Sequence, residues 1–486
     1  MENLNRRYLC WDDKLIEKSV HLHICAHKPE KKNVALLCDD EWEGECNGYG
    51  AVIKTPNGYF MYYRASGSRY CADGSGLLKK GEKGAICLAQ SQDGIHFTKP
   101  DLGIHQYNGS KHNNIIFTFS DRVIDNCSFF YDENPACPKE EKFKALMDAS
   151  ENGEPRLEYF ASGDGIHFTP MYKLGVQGTM DSYNVVVWDK KTKQYFLFHR
   201  AFHEKDGTDR LTWEGVNFTT SIRDVRVATS KDFRNWTPHG RIQFEEGQEE
   251  YPLYTNQILK YYRDNSTFIG FPTRYCDRVH EKRNFDFMPI ADYREKITQH
   301  YGREGTALTD CVIMTSSDGF TFNRRDEAFF TPGPEHNSNW WYGNCYPVYG
   351  MLETKAEETG AANEISIYLG ENYRIKNVNF RRYTLRLDGF FSWYGAYKGG
   401  EILTKSIKID GEQMQVNFAS SAIGGMKVRI CDVDGNFLDG YESYVMFGDS
   451  VERPVEFEKP LSDLKGKSVK LHFTLKDTHL YSFIIK

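Results

Sequence analysis

Ser91-Gln92-Asp93-Gly94-Ile95-His96-Phe97 returns as Ser162-Gly163-Asp164-Gly165-Ile166-His167-Phe168. It comes back altered as Ser230-Lys231-Asp232-Phe233-Arg234-Asn235-Trp236, and again as Ser317-Asp318-Gly319-Phe320-Thr321-Phe322. Each copy reads as a turn. Ser and Asp side chains bond nearby backbone, Gly takes the positive φ, and the last aromatic restarts a strand. A turn repeated at long, similar intervals marks a repeat architecture.

Upstream of each turn the same order of strand-like runs recurs. The first block has Tyr49–Lys54, Tyr59–Arg64 and Ala85–Ala89; the second Asn126–Tyr131, Lys142–Met147 and Leu157–Ala161. The third has Tyr183–Trp188, Tyr195–Arg200 and Val225–Thr229; the fourth Asn256–Tyr261, Phe268–Arg274 and Asp310–Met314. A fifth, without the turn, has Cys345–Tyr349, Glu364–Leu369 and Arg382–Leu387. Blocks of about four strands around an axis are propeller blades. The expected fold class is therefore all-β, a five-bladed β-propeller over residues 1–385. Beyond it, Met414/Val416/Phe418, Met426/Val428/Ile430 and Val469/Leu471/Phe473/Leu475 alternate with polar residues, as half-buried antiparallel strands do. Residues 386–486 are read as a C-terminal β-sandwich.

Composition narrows the function. Of 486 residues, 14% are aromatic, which suits both β-structure and stacking on sugar faces. The net charge of −7 argues against nucleic acid and anionic membranes as partners. The N-terminal segment has no apolar signal core, no run is long enough to span a bilayer, and the 12 Cys show no CxxC pair. The reading is a cytoplasmic protein with reduced thiols and no cofactor. No metal is assigned. Asp432–Asn436 lacks the calcium-loop spacing, and His21 and His23 have no third ligand.

In an up-and-down blade, the start of the first strand and the end of the second lie on one face. Residues there should ring one end of the central channel. Before the first strands stand Asp40, Glu41, Glu43, Glu45, Asp125, Asp181, Glu249 and Glu250. Closing the second strands are Arg64, Asp148, Arg200, Arg274 and Glu371. The connections after Arg64, Arg200 and Arg274 are long, and the last has room for a short helix near Tyr293–Tyr301. Long loops on one face of a rigid scaffold build binding sites. A ring of carboxylates and arginines is what glycoside hydrolysis needs: one carboxyl protonates the leaving oxygen and a second attacks or activates water. Arginines hold hydroxyls or a carboxylate, and aromatics such as Trp42, Tyr49, Tyr183, Tyr254, Trp340 and Trp341 can stack on sugars. The same carboxylates can equally serve as turn formers or ion-pair partners, Trp188 reads as core, and Trp340 and Trp341 are split between core and subsite.

Several stretches carry a resemblance: Trp11–Glu17, Glu41-Trp42-Glu43, Ser91–Gly103, Tyr107–Asn114, Leu385–Phe390, Leu403–Lys405 and Leu480–Phe483. The chain resembles the five-bladed propeller superfamily of invertase, levansucrase and arabinanase glycoside hydrolases. It is most similar to the group known as glycosyl hydrolase family 32 N-terminal-like. That resemblance implies three acidic residues from the first three blades, for which Glu43, Asp125 and Asp181 are the positional matches. The invertase motifs Asn-Asp-Pro-Asn, Arg-Asp-Pro and Glu-Cys are absent at those positions, so only the idea of three inner carboxylates carries over. The leading expectation is an exo-acting glycosidase on a short oligosaccharide or glycoside, furanosides included. Asp40, Trp42, Arg64, Arg200, Glu250, Arg274, Trp341 and Glu371 would bind the carbohydrate. Alternatives are a sialidase-like or uronic-acid-specific enzyme with Arg64, Arg200 and Arg274 as a clamp, a non-catalytic carbohydrate-binding propeller, and a glycoside phosphorylase. The sequence leaves the oligomeric state open.

Overall fold

The computed structural model describes residues 6–66, 84–119 and 126–486. The chain divides into two compact units. One comprises Pro29–Thr354 and Ser366–Thr384; the other comprises Met1–Lys28, Lys355–Ile365 and Leu385–Lys486. No helix among the described residues is long and apolar enough to cross a membrane.

The larger unit is the expected propeller of five antiparallel blades. Blade one pairs Gly48–Thr55, Gly58–Ala65, Ala85–Ser91 and Ile115–Thr118 in chain order. Blade two pairs Cys127–Tyr131, Phe143–Glu151, Glu154–Ser162 and Thr169–Lys173. Blade three pairs Val185–Asp189, Gln194–His203, Ile222–Ser230 and Thr237–Arg241. Blade four pairs Leu259–Lys260, Phe268–Gly270, Met314–Ser316 and Thr321–Arg324, with a separate hairpin of Thr273–Asp277 and Ala307–Cys311. Blade five pairs Leu352–Thr354, Glu364–Glu371 and Asn379–Arg386, and takes its fourth strand, Glu30–Leu37, from before blade one. The strand order along the chain does not reveal this closure, because the two partners lie at opposite ends of the unit.

The first strand of each blade faces the axis. First strands of blades one and two, two and three, three and four, and five and one lie against each other. Backbone bonds at 2.8 Å from Val52 N–H to Tyr349 O and from Tyr349 N–H to Gly50 O lock blade five to blade one. Tyr183 Oη, ahead of blade three, donates to Gly50 O of blade one, and Ser128 Oγ of blade two donates to Asn184 O ahead of blade three.

The repeated turns do what their residues dictate. Asp93 Oδ1 accepts N–H of Ile95 at 2.7 Å and of His96 at 2.9 Å, while Ser91 Oγ accepts Gly94 N–H at 2.9 Å. Asp164, Asp232 and Asp318 repeat the pattern. Bonds from the Asn235 backbone and side chain hold the Asp232 carboxyl well below the usual carboxylate range. In the fourth copy the capping residue is Ser316, not Ser317: its Oγ accepts Gly319 N–H at 2.9 Å. The geometry requires the serine two residues before the aspartate, and Ser316 holds that place. Gly94, Gly165 and Gly319 have φ of 71°, 77° and 80°. The third copy has Phe233 there at φ 65°, its ring 4.7 Å from Tyr159 and 5.1 Å from Tyr195. Aromatic packing offsets the roughly 1–2 kcal/mol that a non-glycine residue loses in this region. The turns also join blades, since Tyr62 Oη donates to Gly165 O at 2.8 Å and Tyr368 Oη to Gly94 O.

In the smaller unit two 18-residue strands, Met414–Cys431 and Ser468–Ile485, pair antiparallel and recruit further strands into a ten-stranded network. Their inward residues, among them Phe418, Val428, Leu471, Phe473 and Phe483, pack with Trp393 in one core. The strands Arg6–Leu9, Ile16–Val20 and Leu22–Ala26 belong to this sheet as well, although the sequence pattern groups them with residues 1–385. Three of the resemblance-bearing stretches meet here. Trp11 Nε1 donates to Asp388 O at 2.8 Å, and the Asp388 carboxylate, fully buried, takes Arg7 at 2.9 Å and Ser482 Oγ at 2.6 Å. Every described cysteine in the chain is a free thiol.

Candidate functional site

The propeller unit holds a cavity of about 350 Å³ where the face rule places one. Residues preceding the first strands supply its wall: Cys46–Gly50 from blade one, Asn126 from blade two, Asp181 and Tyr183 from blade three, and Tyr254 from blade four. Blade five adds Tyr342, Tyr346 and Pro347. Arg64 and Gly370 come from the ends of second strands, and Phe218, Arg303 and Glu304 from long connections.

The wall is rich in tyrosine and arginine and carries two carboxylates. Tyr254 and Tyr342 share a hydroxyl–hydroxyl bond, and Tyr254 stacks on Tyr346 with ring centroids 5.8 Å apart. Burial pushes the Tyr342 and Tyr346 phenols well above their ordinary pKa, so they are neutral donors at pH 7. Arg64 lies 5.2 Å from the Tyr49 ring centroid and reaches Cys46 O at 3.4 Å and Tyr373 Oη at 3.5 Å. Asp181 pairs with Arg200 Nη1 at 3.3 Å. Glu304 pairs with Arg374, which lies 5.4 Å from the Tyr342 ring centroid.

Of the three expected catalytic carboxylates, Asp181 stands on this wall. Asp125 lies outside the described residues; its neighbour Asn126 lines the cavity. Glu43 is not among the lining residues. Its fully buried carboxylate takes Tyr63 Oη at 2.5 Å, Lys99 Nζ at 2.8 Å and the Asp40 N–H at 2.8 Å. Burial raises its pKa, and Lys99 works against that rise. Asn114 extends the network, donating to Tyr63 Oη at 2.8 Å and accepting Trp42 Nε1 at 2.9 Å. Asp39 and Asp40 meet the same ammonium at 2.8 and 2.9 Å, so Lys99 answers all three acids. Glu43, Asp40 and Trp42 thus brace the segment ahead of blade one.

Other expected contacts are redistributed. Arg200 lies behind the wall, 2% exposed, bonding Asp181 and the carbonyls of Leu253 and Tyr254. Arg274 is directed elsewhere: it forms a bidentate pair with Asp310 at 2.7 and 2.5 Å and lines a second cavity, of about 540 Å³, with Trp340 and Tyr251. The expected clamp of Arg64, Arg200 and Arg274 is therefore corrected. Strand alternation explains it, because Tyr275, one residue on, turns toward Tyr254 at 5.8 Å and Arg274 must face the opposite side. Glu250 is half exposed and pairs with His203 Nε2 at 3.0 Å. Glu371 is held by Arg381 and Lys31, each at 2.7 Å. Trp341 is core rather than subsite, 4% exposed beneath Arg294 at 4.1 Å.

The sequence reading missed Arg303, Glu304, Tyr342, Tyr346, Tyr373 and Arg374. The signal for the first two was the length of the connection after Arg274. It holds the helix Ala291–Tyr301, near the expected place, and a 3₁₀ turn, Gly302–Gly305, that delivers Arg303 and Glu304 to the cavity. Buried Arg294 fixes that turn through Gly305 O at 3.2 Å and Trp340 O at 2.8 Å.

No family model matches the chain, and no curated protein matches it. Among solved structures the chain is similar to one described as a BT0996–RGII complex, at 10% identity and TM-score 0.47, covering 74% of this protein and 92% of that one. It is similar to a glycoside hydrolase family 43 arabinoxylan arabinofuranohydrolase from Bacillus subtilis in complex with cellotetraose, at 11% identity and TM-score 0.32, covering 89% and 78%. A third, from work on the GH130 family of mannoside phosphorylases and glycoside hydrolases that target β-1,2 mannosidic linkages in Candida mannan, shows 13% identity and TM-score 0.41, covering 74% and 94%. These similarities assign neither an activity nor a substrate to this protein.

Proposed function

We propose that the protein is a glycoside hydrolase that works in the propeller cavity. The observation supporting this most directly is the pair of carboxylates, Asp181 and Glu304, on the wall of a cavity rich in tyrosines and arginines. Glycosidic cleavage needs a proton on the leaving oxygen and an ionised carboxylate near the anomeric carbon. In this reading Asp181 and Glu304, each beside an arginine, supply the two carboxyl groups, one to attack or activate water and one to protonate the leaving oxygen. Tyr342 and Tyr346, as neutral phenols, donate to sugar hydroxyls, and Tyr49 and Tyr254 offer ring faces. Asp125 is retained from the sequence as a third carboxylate. A cavity of about 350 Å³ is small for a ligand site and favours exo action on a short oligosaccharide or simple glycoside.

The test is turnover on neutral and acidic aryl glycosides, furanosides included, with and without phosphate. Asp181→Asn and Glu304→Gln should each lower kcat by roughly 10²–10⁴-fold on the substrate found, the size of a general acid–base contribution. Turnover that survives both substitutions sinks the assignment of residues, and absence of turnover across the panel sinks the activity.

A further inference from the structure

Arg223 sits on the third strand of blade three, across from Phe202, and is 3% exposed. It has no carboxylate partner among the described residues, and its buried Nη2 has no hydrogen-bond acceptor. Its guanidinium is surrounded by rings: Tyr275 at 4.5 Å, Phe202 at 5.5 Å, Tyr254 at 5.6 Å and Phe218 at 5.8 Å. Arg303 shares two of those rings, lying 5.3 Å from the Tyr275 centroid and 6.0 Å from that of Phe218. It too has no ion-pair partner among the described residues, and its Nη1 is buried without an acceptor. Burial first, and then the charges of Arg200 and Arg303, pull the Arg223 pKa below its ordinary value.

A buried charge with no counter-charge costs several kcal/mol. Cation–π contacts return only part of that cost and leave Nη2 of Arg223 and Nη1 of Arg303 unfilled. Both carboxylates on the wall are already paired, Asp181 with Arg200 and Glu304 with Arg374. Two guanidiniums against the same rings, each with an unfilled buried N–H, are matched by one group with several acceptor oxygens and negative charge. Arg303, Phe218 and Tyr254 line the cavity, and Arg223 lies one ring behind them.

We infer that the cavity contains an oxyanion subsite built on Arg223 and Arg303. Its ligand is a carboxylate or phosphoryl group on the sugar, or free phosphate. The choice of an anionic sugar as substrate rests on the proposed hydrolase reading; the subsite itself does not. It is a different set from the arginines expected to form a clamp.

The experiment is calorimetric titration of the full chain with inorganic phosphate, D-glucuronate and D-galacturonate, with neutral D-glucose and D-galactose as controls. An oxyanion should bind, and bind more weakly as salt is raised, while the neutral sugars should not reproduce it. Arg303→Met and Arg223→Met should each weaken that binding by at least about tenfold, the worth of one charge-assisted pair. Binding of the uronates assigns the carboxylate to the sugar, and binding of phosphate alone assigns free or ester phosphate. If wild-type protein binds no oxyanion, the subsite is overturned whether or not the variants fold. It is also overturned if folded Arg303→Met binds as wild type. Turnover is scored separately: anion binding without hydrolysis keeps the subsite and removes the hydrolase reading, whereas hydrolysis without anion binding does the reverse.

Discussion

His199 lies on the second strand of blade three, 2% exposed, directly across the sheet from Arg226. Burial first, and the Arg226 charge second, push its pKa down to about 4, with Asp224 opposing. In the unfolded chain the imidazole titrates near 6.5. The unfolded state therefore binds the proton first, and stability contributed by neutral His199 is complete above pH 6.5 and falls as pH drops toward 4. At pH 4.5 the loss relative to pH 7 works out at about 2.5 kcal/mol, from the gap between 6.5 and about 4 at 1.36 kcal/mol per pH unit and incomplete titration at that pH. The perturbation is His199→Gln, which cannot charge. Urea unfolding at pH 7 and pH 4.5, for wild type and variant, isolates the effect. The variant should lose about 2.5 kcal/mol less than wild type over that interval, whatever its stability at pH 7. Equal losses in the two proteins would refute the claim that His199 is held neutral by burial.

Three other changes probe the fold. Lys99→Met should destabilise the propeller by about 3–5 kcal/mol, because it strands the buried Glu43 carboxylate; adding Glu43→Gln should recover part of that in the same denaturation assay. Tyr62→Phe removes the buried bond to Gly165 O and should cost about 1–3 kcal/mol by thermal or urea unfolding. Gly165→Ala should cost at least about 1 kcal/mol and lower Tm, since φ is 77° and the new Cβ would stand 2.7 Å from Tyr62 Oη.

Several residues of the stretches that carried the resemblance are tied into buried or half-buried networks. Glu43, Trp42, Lys99 and Asn114 form one buried network, and Trp11 is tied to Asp388. A sequence shows that Glu43 precedes a first strand. It does not show that Lys99, 56 positions later, lies 2.8 Å from it. The same limit hid the closure of blade five by Glu30–Leu37 and the placing of the first strands in the smaller unit's sheet.

By itself the sequence determined the repeat, and through it the propeller. Turn chemistry is local, so Ser, Asp and Gly at fixed offsets specify the same backbone wherever they occur, and the alternation of apolar residues between turns specifies strands. The face on which a site would form follows from that connectivity alone, and Asp181, Arg64, Tyr49, Tyr183 and Tyr254 were found on it. The tertiary structure alone decided which charges share a cavity. Arg274 and Tyr275 are adjacent in sequence and face opposite ways, while Arg223 and Arg303, far apart along the chain, press on the same ring. Side-chain direction on a strand reverses at every residue, and loop residues such as Arg303 and Glu304 have no repeat to fix them, so the composition of the site depends on packing that no local pattern encodes.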